Sequence, residues 1–371
     1  MNNNISTNRI EGLDLARALA MFGMILVNFM IVTGAKGNGH PLLVWFTNLF
    51  EGRAAATFVI LAGIGITLMT QKARFTRDKA VVKSVQVSLW KRSLLLFILG
   101  FLLYVGGWTG DILHYYGVYM AFATLFILSS KKIITMFIMI VAVIAQVYQV
   151  AFTYTNGWSS ANPFLEYLDF WTLTGFLRNL FLNGHHPVLP WICFLLIGML
   201  IGRLNLVDRG VRKTIMFASL ITLTLIEILS RVLIDSLTTS ILTIDRAIFL
   251  FETNAYPPNV FYLLSNTSSA LLIILLSIYV AEKCASNKLI RSLIYTGQFA
   301  LTHYISHVVI GIGLLVLFNR VILFNGFEAQ PLSFTFRYAC IYFVGSILFS
   351  VLWRNRFKRG PIELVMRKCS S

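Results

Sequence analysis

Charge is what this 371-residue chain has least of: 12% of its residues are Asp, Glu, Lys or Arg, about half the roughly 25% usual in soluble domains. Acidic residues are scarcest, 15 against 31 Lys and Arg. With 57% hydrophobic residues and so little polar surface, a soluble fold of this length is excluded. Cysteine is rare as well. Cys193, Cys284, Cys340 and Cys369 are scattered without a CxxC pair, so the spacing gives no disulfide framework and no thiolate metal site, and reads as reduced, structural thiols. There is no Walker A loop, no GxSxG elbow, no zinc motif and no repeat array, which removes the commonest nucleotide, hydrolase and metalloenzyme signatures.

What is present is a succession of apolar runs close to the ~20 residues that cross a bilayer as a helix. They fall at Leu13–Val32, Ala54–Thr70, Ser93–Trp108, Ile112–Leu128, Ile133–Phe152, Leu189–Gly202, Ile215–Ile234, Val260–Val280, Ile294–Phe318 and Phe334–Trp353. The pattern predicts an all-α, polytopic transmembrane bundle of about ten spans, read as one unit over 1–371. The first run is too long for a signal-peptide core and lacks a cleavage site after it, so it is expected to persist as span one.

The formal charge of +16 is not read as a nucleic-acid footprint, because the cations cluster between apolar runs. In the ten-span reading 23 of the 31 Lys and Arg residues lie on one side, among them Arg9, the segment Lys72 to Arg92 and the tail Arg354 to Lys368. The opposite loops hold Lys36, Arg178, Arg246 and Arg320. The positive-inside rule then puts both termini in the cytoplasm, and the chain is expected in the plasma membrane. Trp90 and Trp353 flank inner clusters, while Trp45, Trp108, Trp158, Trp171 and Trp191 sit at or near outer ends, as an interfacial belt requires.

The longest outer segment, Thr153 to Val188, contains Asn162-Pro163, Trp171 and Asn183-Gly184-His185-His186-Pro187. Loops of this length are usually functional. His40 and His186 each begin an HPxLxW hexapeptide, a weak echo of an internal duplication.

Four of six histidines gather on the outer side: His40, His114, His185 and His186. Histidine is the usual general base near neutral pH, and Asp111, three residues before His114, supplies an orienting carboxylate. The alternative is interfacial histidines bonded to headgroups or backbone. Ionisable residues inside spans are costly and thus functional candidates. Asp14 and Arg17 share a face of span one, as a pair or an anion site. Asn28 lies deeper in that span. Glu227 and Arg231 read as an interhelical pair, and Arg53 as a ligand or headgroup cation. His303 and His307 stand at i, i+4 in span nine, but without an acidic or Cys partner nearby substrate contact or packing is favoured over metal.

The run Arg9, Leu13, Asp14, Arg17, Ala20, Met24, Asn28 resembles the first span of the YeiB-like bacterial membrane proteins, catalogued as a domain of unknown function. It also resembles the opening of the catalytic domain of heparan-alpha-glucosaminide N-acetyltransferase. Further YeiB-like matches are Gly52-Arg53 to Phe58, Gly110-Asp111 with Tyr116, Pro190-Trp191, Gly198, Gly297, Ala300 to Thr302 with Tyr304, and Gly360-Pro361 with Glu363. Arg17 departs from the pattern by preceding Ala18 rather than Gly, and the acetyltransferase's large lumenal part has no counterpart. The resemblance implies a transmembrane acyltransferase that uses acetyl-CoA or another acyl-CoA from the cytoplasm, without metal. The acceptor is an extracytoplasmic hydroxyl or amine, on a glycan or another envelope component. It implies His40 as the catalytic histidine, since that is the one histidine of the matching loop.

Together these readings place His40, Asn28, Asp111 and His114 in catalysis. Asp14, Arg17, Arg53, Tyr116, His186, Trp191, His303 and His307 are placed at the substrates, with Lys72 to Arg92 drawing the phosphates. The partners expected are the bilayer and the acceptor, not nucleic acid, with a homodimer left open. The rival classes are a transporter or flippase, which suits polar spans broken by glycine, and a non-catalytic partner of envelope enzymes. The orientation is testable directly: on intact cells an impermeant maleimide is expected to label K36C and to spare Cys369, and the reverse pattern would invert the topology.

Overall fold

The computed structural model describes residues 9–161, 164–238, 242–318 and 329–370. Asn162-Pro163 and Arg320 lie outside the described residues. The helices in chain order are α1 (Glu11–Val32), α2 (Pro41–Asn48), α3 (Arg53–Met69), α4 (Gln71–Thr76), α5 (Lys79–Val105) and α6 (Leu113–Ala123). There follow α7 (Lys131–Ala151), α8 (Leu173–Arg178), α9 (Val188–Ile201), α10 (Arg209–Thr238), α11 (Ile244–Phe251) and α12 (Val260–Lys283). The last are α13 (Lys288–Gln298), α14 (Ala300–Ser306), α15 (Gly313–Leu317), α16 (Leu332–Arg354) and α17 (Pro361–Ser370). The only β pairing among the described residues is the isolated bridge Trp158–Tyr167.

Eight helical segments are long and apolar enough to cross a membrane, or nine if α8 and α9 count as one bent span. Two of the expected ten account for the difference. In place of a span over Ile112–Leu128 stands α6, 11 residues long with a 3-10 turn at Thr124–Phe126. At 1.5 Å per residue that helix reaches about 17 Å, short of a core of about 30 Å. Its apolar residues face protein, packed on α5 and α9, and hydropathy does not distinguish that from lipid. In place of Leu189–Gly202 stands the 14-residue α9, joined to α8 through a π turn and a 45° bend. Span three begins earlier than expected. Asp78 caps α5 by accepting from Ala80 N at 2.7 Å, so most of the basic segment after span two is helix rather than loop. Span nine is broken at Phe299 into α13 and α14, and α14 continues through a π segment, His307–Ile312, into α15.

α1 is the central element, packed on α3, α12, α13, α14 and α16. At the rim, α7 and α10 leave Met139, Val143, Phe217 and Ile221 exposed, as lipid-facing helices do. Close helix crossings rest on small residues. On α3 and α9, Gly63 and Gly198 face each other: a Cβ on Gly198 would fall 2.1 Å from the Ile60 carbonyl, and one on Gly63 2.0 Å from the Leu195 carbonyl. This contact sets the distance between two walls of the site described below.

G198V should therefore force the helices apart and cost at least the ~1–3 kcal/mol typical of overpacking. G313A, where a Cβ meets nothing within 4 Å, should be neutral or slightly stabilising. Thermal unfolding in detergent checks both, and equal midpoints for the two variants would contradict the packing.

Candidate functional site

Two cavities lie back to back across the bundle. The first, of 570 Å³, opens among the Arg and Lys clusters, here called the basic side. Its polar wall is built at the start of α1. Asp14, 1% exposed, receives Arg9 Nε at 2.7 Å, Arg17 Nη1 at 2.5 Å and Gln298 Nε2 at 3.3 Å. Asp14 and Arg17 thus pair as their i, i+3 spacing suggested, and they do so inside a cavity. The deeper wall is apolar, with Phe58, Ala62, Leu96, Leu113 and Met120, and Tyr116 stands among them. Of the Lys and Arg residues from Lys72 to Arg92, only Arg92 lines this cavity.

The break in span nine has a specific support. Glu363 of α17 accepts from Leu301 N at 2.8 Å, Thr302 N at 3.1 Å and Thr302 Oγ1 at 2.5 Å. It thereby satisfies N–H groups that the start of α14 would otherwise leave open. Burial raises the Glu363 carboxyl above its ordinary range, partly offset by the Thr302 hydroxyl and the backbone N–H groups. Glu363 lines the basic-side cavity as well.

The second cavity, of 330 Å³, lies toward the far side and is lined by Asn28, Lys36, Glu51, His185, His186 and Trp191, with Tyr256 and Phe164. Lys36 and Glu51 pair across it at 2.9 Å. His186 lies 4.6 Å from Trp191 between ring centroids. Its Nδ1 is buried without a hydrogen-bond partner among the described residues. His185 Nδ1 meets Tyr256 Oη at 2.7 Å. Asn28 Nδ2 lies 2.9 Å from His307 Nε2. An amide N–H can only donate, so His307 is the Nδ1–H tautomer. The second Asn28 N–H is left for a ligand.

Behind this wall sits a buried chain. Asp111 Oδ2 accepts from His114 N at 3.0 Å and meets His114 Nδ1 at 3.0 Å, and Tyr304 Oη reaches Asp111 Oδ1 at 3.1 Å. The Asp–His pair exists, but both residues are 0% exposed and neither lines the two cavities. They position α6 and α14 rather than face a ligand.

The two cavities approach each other along α3. On α3, Ala55 lines the second and Phe58 the first, three residues or about 4.5 Å of rise apart. The Phe58 and Tyr116 rings, with centroids 6.4 Å apart, form a layer in the wall of the first cavity, about one helical turn of α3 from Ala55.

Four features of the sequence take their own places in the structure. His40 lies in neither cavity: exposed at the start of α2, its Nδ1 accepts from Leu42 N at 3.3 Å. It stands four residues beyond Lys36, on the loop that reaches the second cavity's rim. Arg53 is not free for a ligand, since Glu227 holds it at 3.1 Å, and Glu227 also accepts from Ser265 and Thr253. Glu227 therefore joins helices through Arg53, not Arg231. His303 and His307 have separate partners: His303 bonds Ser350 at 2.7 Å while His307 bonds Asn28. The HPxLxW echo also dissolves, since one copy forms the exposed α2 and the other enters the buried α9.

Residues not singled out as site candidates are Arg9, Gln298, Lys36, His185, Tyr256 and Glu363. Arg9 and Glu363 stood in the family-like pattern, which was the available signal. Lys36–Glu51 had none, being distant in sequence.

Two family matches cover the chain between them. Residues 9–234, more than half of the protein, match a family described as heparan-alpha-glucosaminide N-acetyltransferase, catalytic. Residues 208–371 match one described as a protein of unknown function, DUF418. No curated protein sequence matches it.

The Glu363 carboxyl gives a pH test. A carboxyl whose folded value lies above its unfolded one stabilises the fold while protonated, and that contribution is lost as pH rises through the raised value. The unfolding midpoint of the wild type relative to E363Q should therefore fall as pH rises from about 4.5 through that value. Parallel midpoints of the two proteins would contradict it.

Proposed function

The chain belongs to the heparan-alpha-glucosaminide N-acetyltransferase catalytic family, a multi-pass membrane protein of acetyltransferase-like type, and on that premise we propose that it transfers an acyl group across the membrane. The donor is a cytoplasmic acyl-CoA, and the acceptor is a hydroxyl or amine outside the plasma membrane. The observation that carries this reading is the pair of cavities that approach each other along α3, where Ala55 lines one and Phe58, beside Tyr116, lines the other.

In this reading the basic side faces the cytoplasm. The acyl-pantetheine arm lies along the apolar wall of the first cavity, with Arg9, Arg17 and Asp14 at its entrance. The acceptor sits in the second cavity. Its oxygen or nitrogen attacks the thioester carbonyl while His186 Nδ1 takes its proton. The free Asn28 N–H donates to the developing oxyanion. Collapse breaks the C–S bond, and the CoA thiolate leaves toward the cytoplasm, where it is protonated. His307 and Tyr304 hold Asn28 and Asp111 in place, and Trp191 orients the His186 ring. His186 rather than His40 takes the base role because it lines a cavity with an unpartnered nitrogen; His185 Nε2 is unpartnered there too, but that ring is tied to Tyr256 through Nδ1.

Back-to-back cavities favour a transporter as the second reading, since alternating access needs the same arrangement. Accumulation of a solute in proteoliposomes without acyl-CoA would support it.

The test is acyl transfer by purified protein in proteoliposomes loaded with an envelope-glycan extract. N28A should slow turnover by roughly two to three decades, the cost of one oxyanion donor. H186A should abolish transfer, and H40A should leave most of it. Full activity in H186A with loss in H40A would overturn the base assignment, and activity in neither nor in wild type would overturn the acyltransferase reading.

A further inference from the structure

The C-terminal segment lies outside residues 9–234 of the acetyltransferase-like match and within the match of unknown function. It runs from the end of α16 through the turn that follows and into α17. This segment forms most of a second opening on the basic side, a cleft of 500 Å³. Six cations line it: Arg9, Arg92, Arg354, Lys358, Arg359 and Arg367. Its one carboxylate is Glu363, and both oxygens of that group are already bonded to Leu301 and Thr302.

Three of the cations are engaged. Arg9 is held by Asp14, Arg92 reaches Ser370 Oγ at 3.2 Å, and Arg354 bonds Gln298 and covers the Tyr295 ring. The side chains of Lys358, Arg359 and Arg367 have no hydrogen-bond or ion-pair partner among the described residues and are exposed. Burial, with the like charges of Arg367 and Arg9, pushes the Arg359 guanidinium below its ordinary value. Like charges held this close without an anion raise the energy of the empty cleft, and an anion relieves it.

The cleft is not a separate surface patch. It shares Arg9, Arg92, Gln298, Glu363 and Met366 with the 570 Å³ cavity. A ligand with an apolar arm in that cavity would therefore emerge with its head among these cations. Guanidinium groups suit phosphate oxygens by bidentate bonding.

We infer that the segment from Arg354 to Arg367 is a phosphate clamp, which holds clustered phosphate groups on the head of the ligand whose arm fills the basic-side cavity. This rests on the donor reading above. It gives that donor a specificity: the unpaired Arg359 and Arg367 select a head with a phosphate beyond its diphosphate, as the 3′-phosphate of CoA provides. Clustered phosphates also occur on anionic lipid headgroups, so the test separates the two sources.

The test is calorimetric titration of the purified full-length protein in detergent with CoA and with dephospho-CoA, which lacks the 3′-phosphate. Wild type should bind CoA at least about tenfold more tightly. R359Q/R367Q should weaken CoA by about tenfold or more and nearly erase that preference, as loss of charge-assisted contacts demands. K213Q/K288Q, which removes two exposed basic-side cations away from the cleft, should bind both as wild type does. The arginines are exposed and mutually repelling, so R359Q/R367Q should fold, with its ligand-free midpoint unchanged or raised.

Unaltered CoA binding and preference in R359Q/R367Q would overturn the clamp while leaving the donor reading intact. No binding of either nucleotide to wild type would overturn both. A stability difference between wild type and R359Q/R367Q that appears only in phosphatidylglycerol nanodiscs, with equal CoA binding, would assign the cleft to lipid headgroups instead.

Discussion

A carboxyl group that is 1% exposed at the basic-side end of α1 needs cations beside it, because an unpaired buried charge costs several kcal/mol. Asp14 takes Arg9 and Arg17 from its own chain segment and Gln298 from the break in span nine. That triple attachment fixes α1 against α13, where Gly297 is pressed so close to the Asp14 carbonyl that a Cβ would lie 1.8 Å from it. Once α1 is seated, Asn28 is carried toward His307 on α14's continuation. Asp14 thus shapes the basic-side cavity directly and the far cavity through the rise of one helix.

The second constraint is the broken ninth span. A continuous helix there would leave no free N–H groups for Glu363 and would turn Tyr304 and His307 to other faces. With the break, α14 starts at a carboxylate on the basic side and delivers two polar side chains to the opposite half of the bundle. The same helix therefore borders both cavities: Ala300 and Leu301 line the first, and His307 bonds the amide that lines the second.

Much of the bundle was legible in the sequence, because run length reports directly on the capacity of a helix to cross a bilayer. The count was overstated at α6, whose apolar residues face α5 and α9 rather than lipid. Hydropathy measures polarity, not the identity of the apolar neighbour. The site was legible where it is local: Asp14 and Arg17 pair at helical spacing, as do Asp111 and His114. It was illegible where partners are remote, as with Asn28 and His307, 279 residues apart. His40 and His186 share a hexapeptide pattern, yet one is a surface cap and the other a half-buried ring beside Trp191. Their environments are set by tertiary packing that no short motif encodes. Glu227 shows the same effect, since a helix-spaced Arg231 was available and Arg53 from another helix took its place.

The central claim is that an acyl chain on a CoA donor enters from the basic side and stops at the Phe58–Tyr116 layer. Photolabelling with a short diazirine-bearing acyl-CoA, followed by peptide mapping, tests it most directly. The account predicts labels on Phe58, Tyr116 or Leu113 that excess CoA abolishes. Labels confined to the lipid-facing helices α7 and α10, unaffected by CoA, would contradict it.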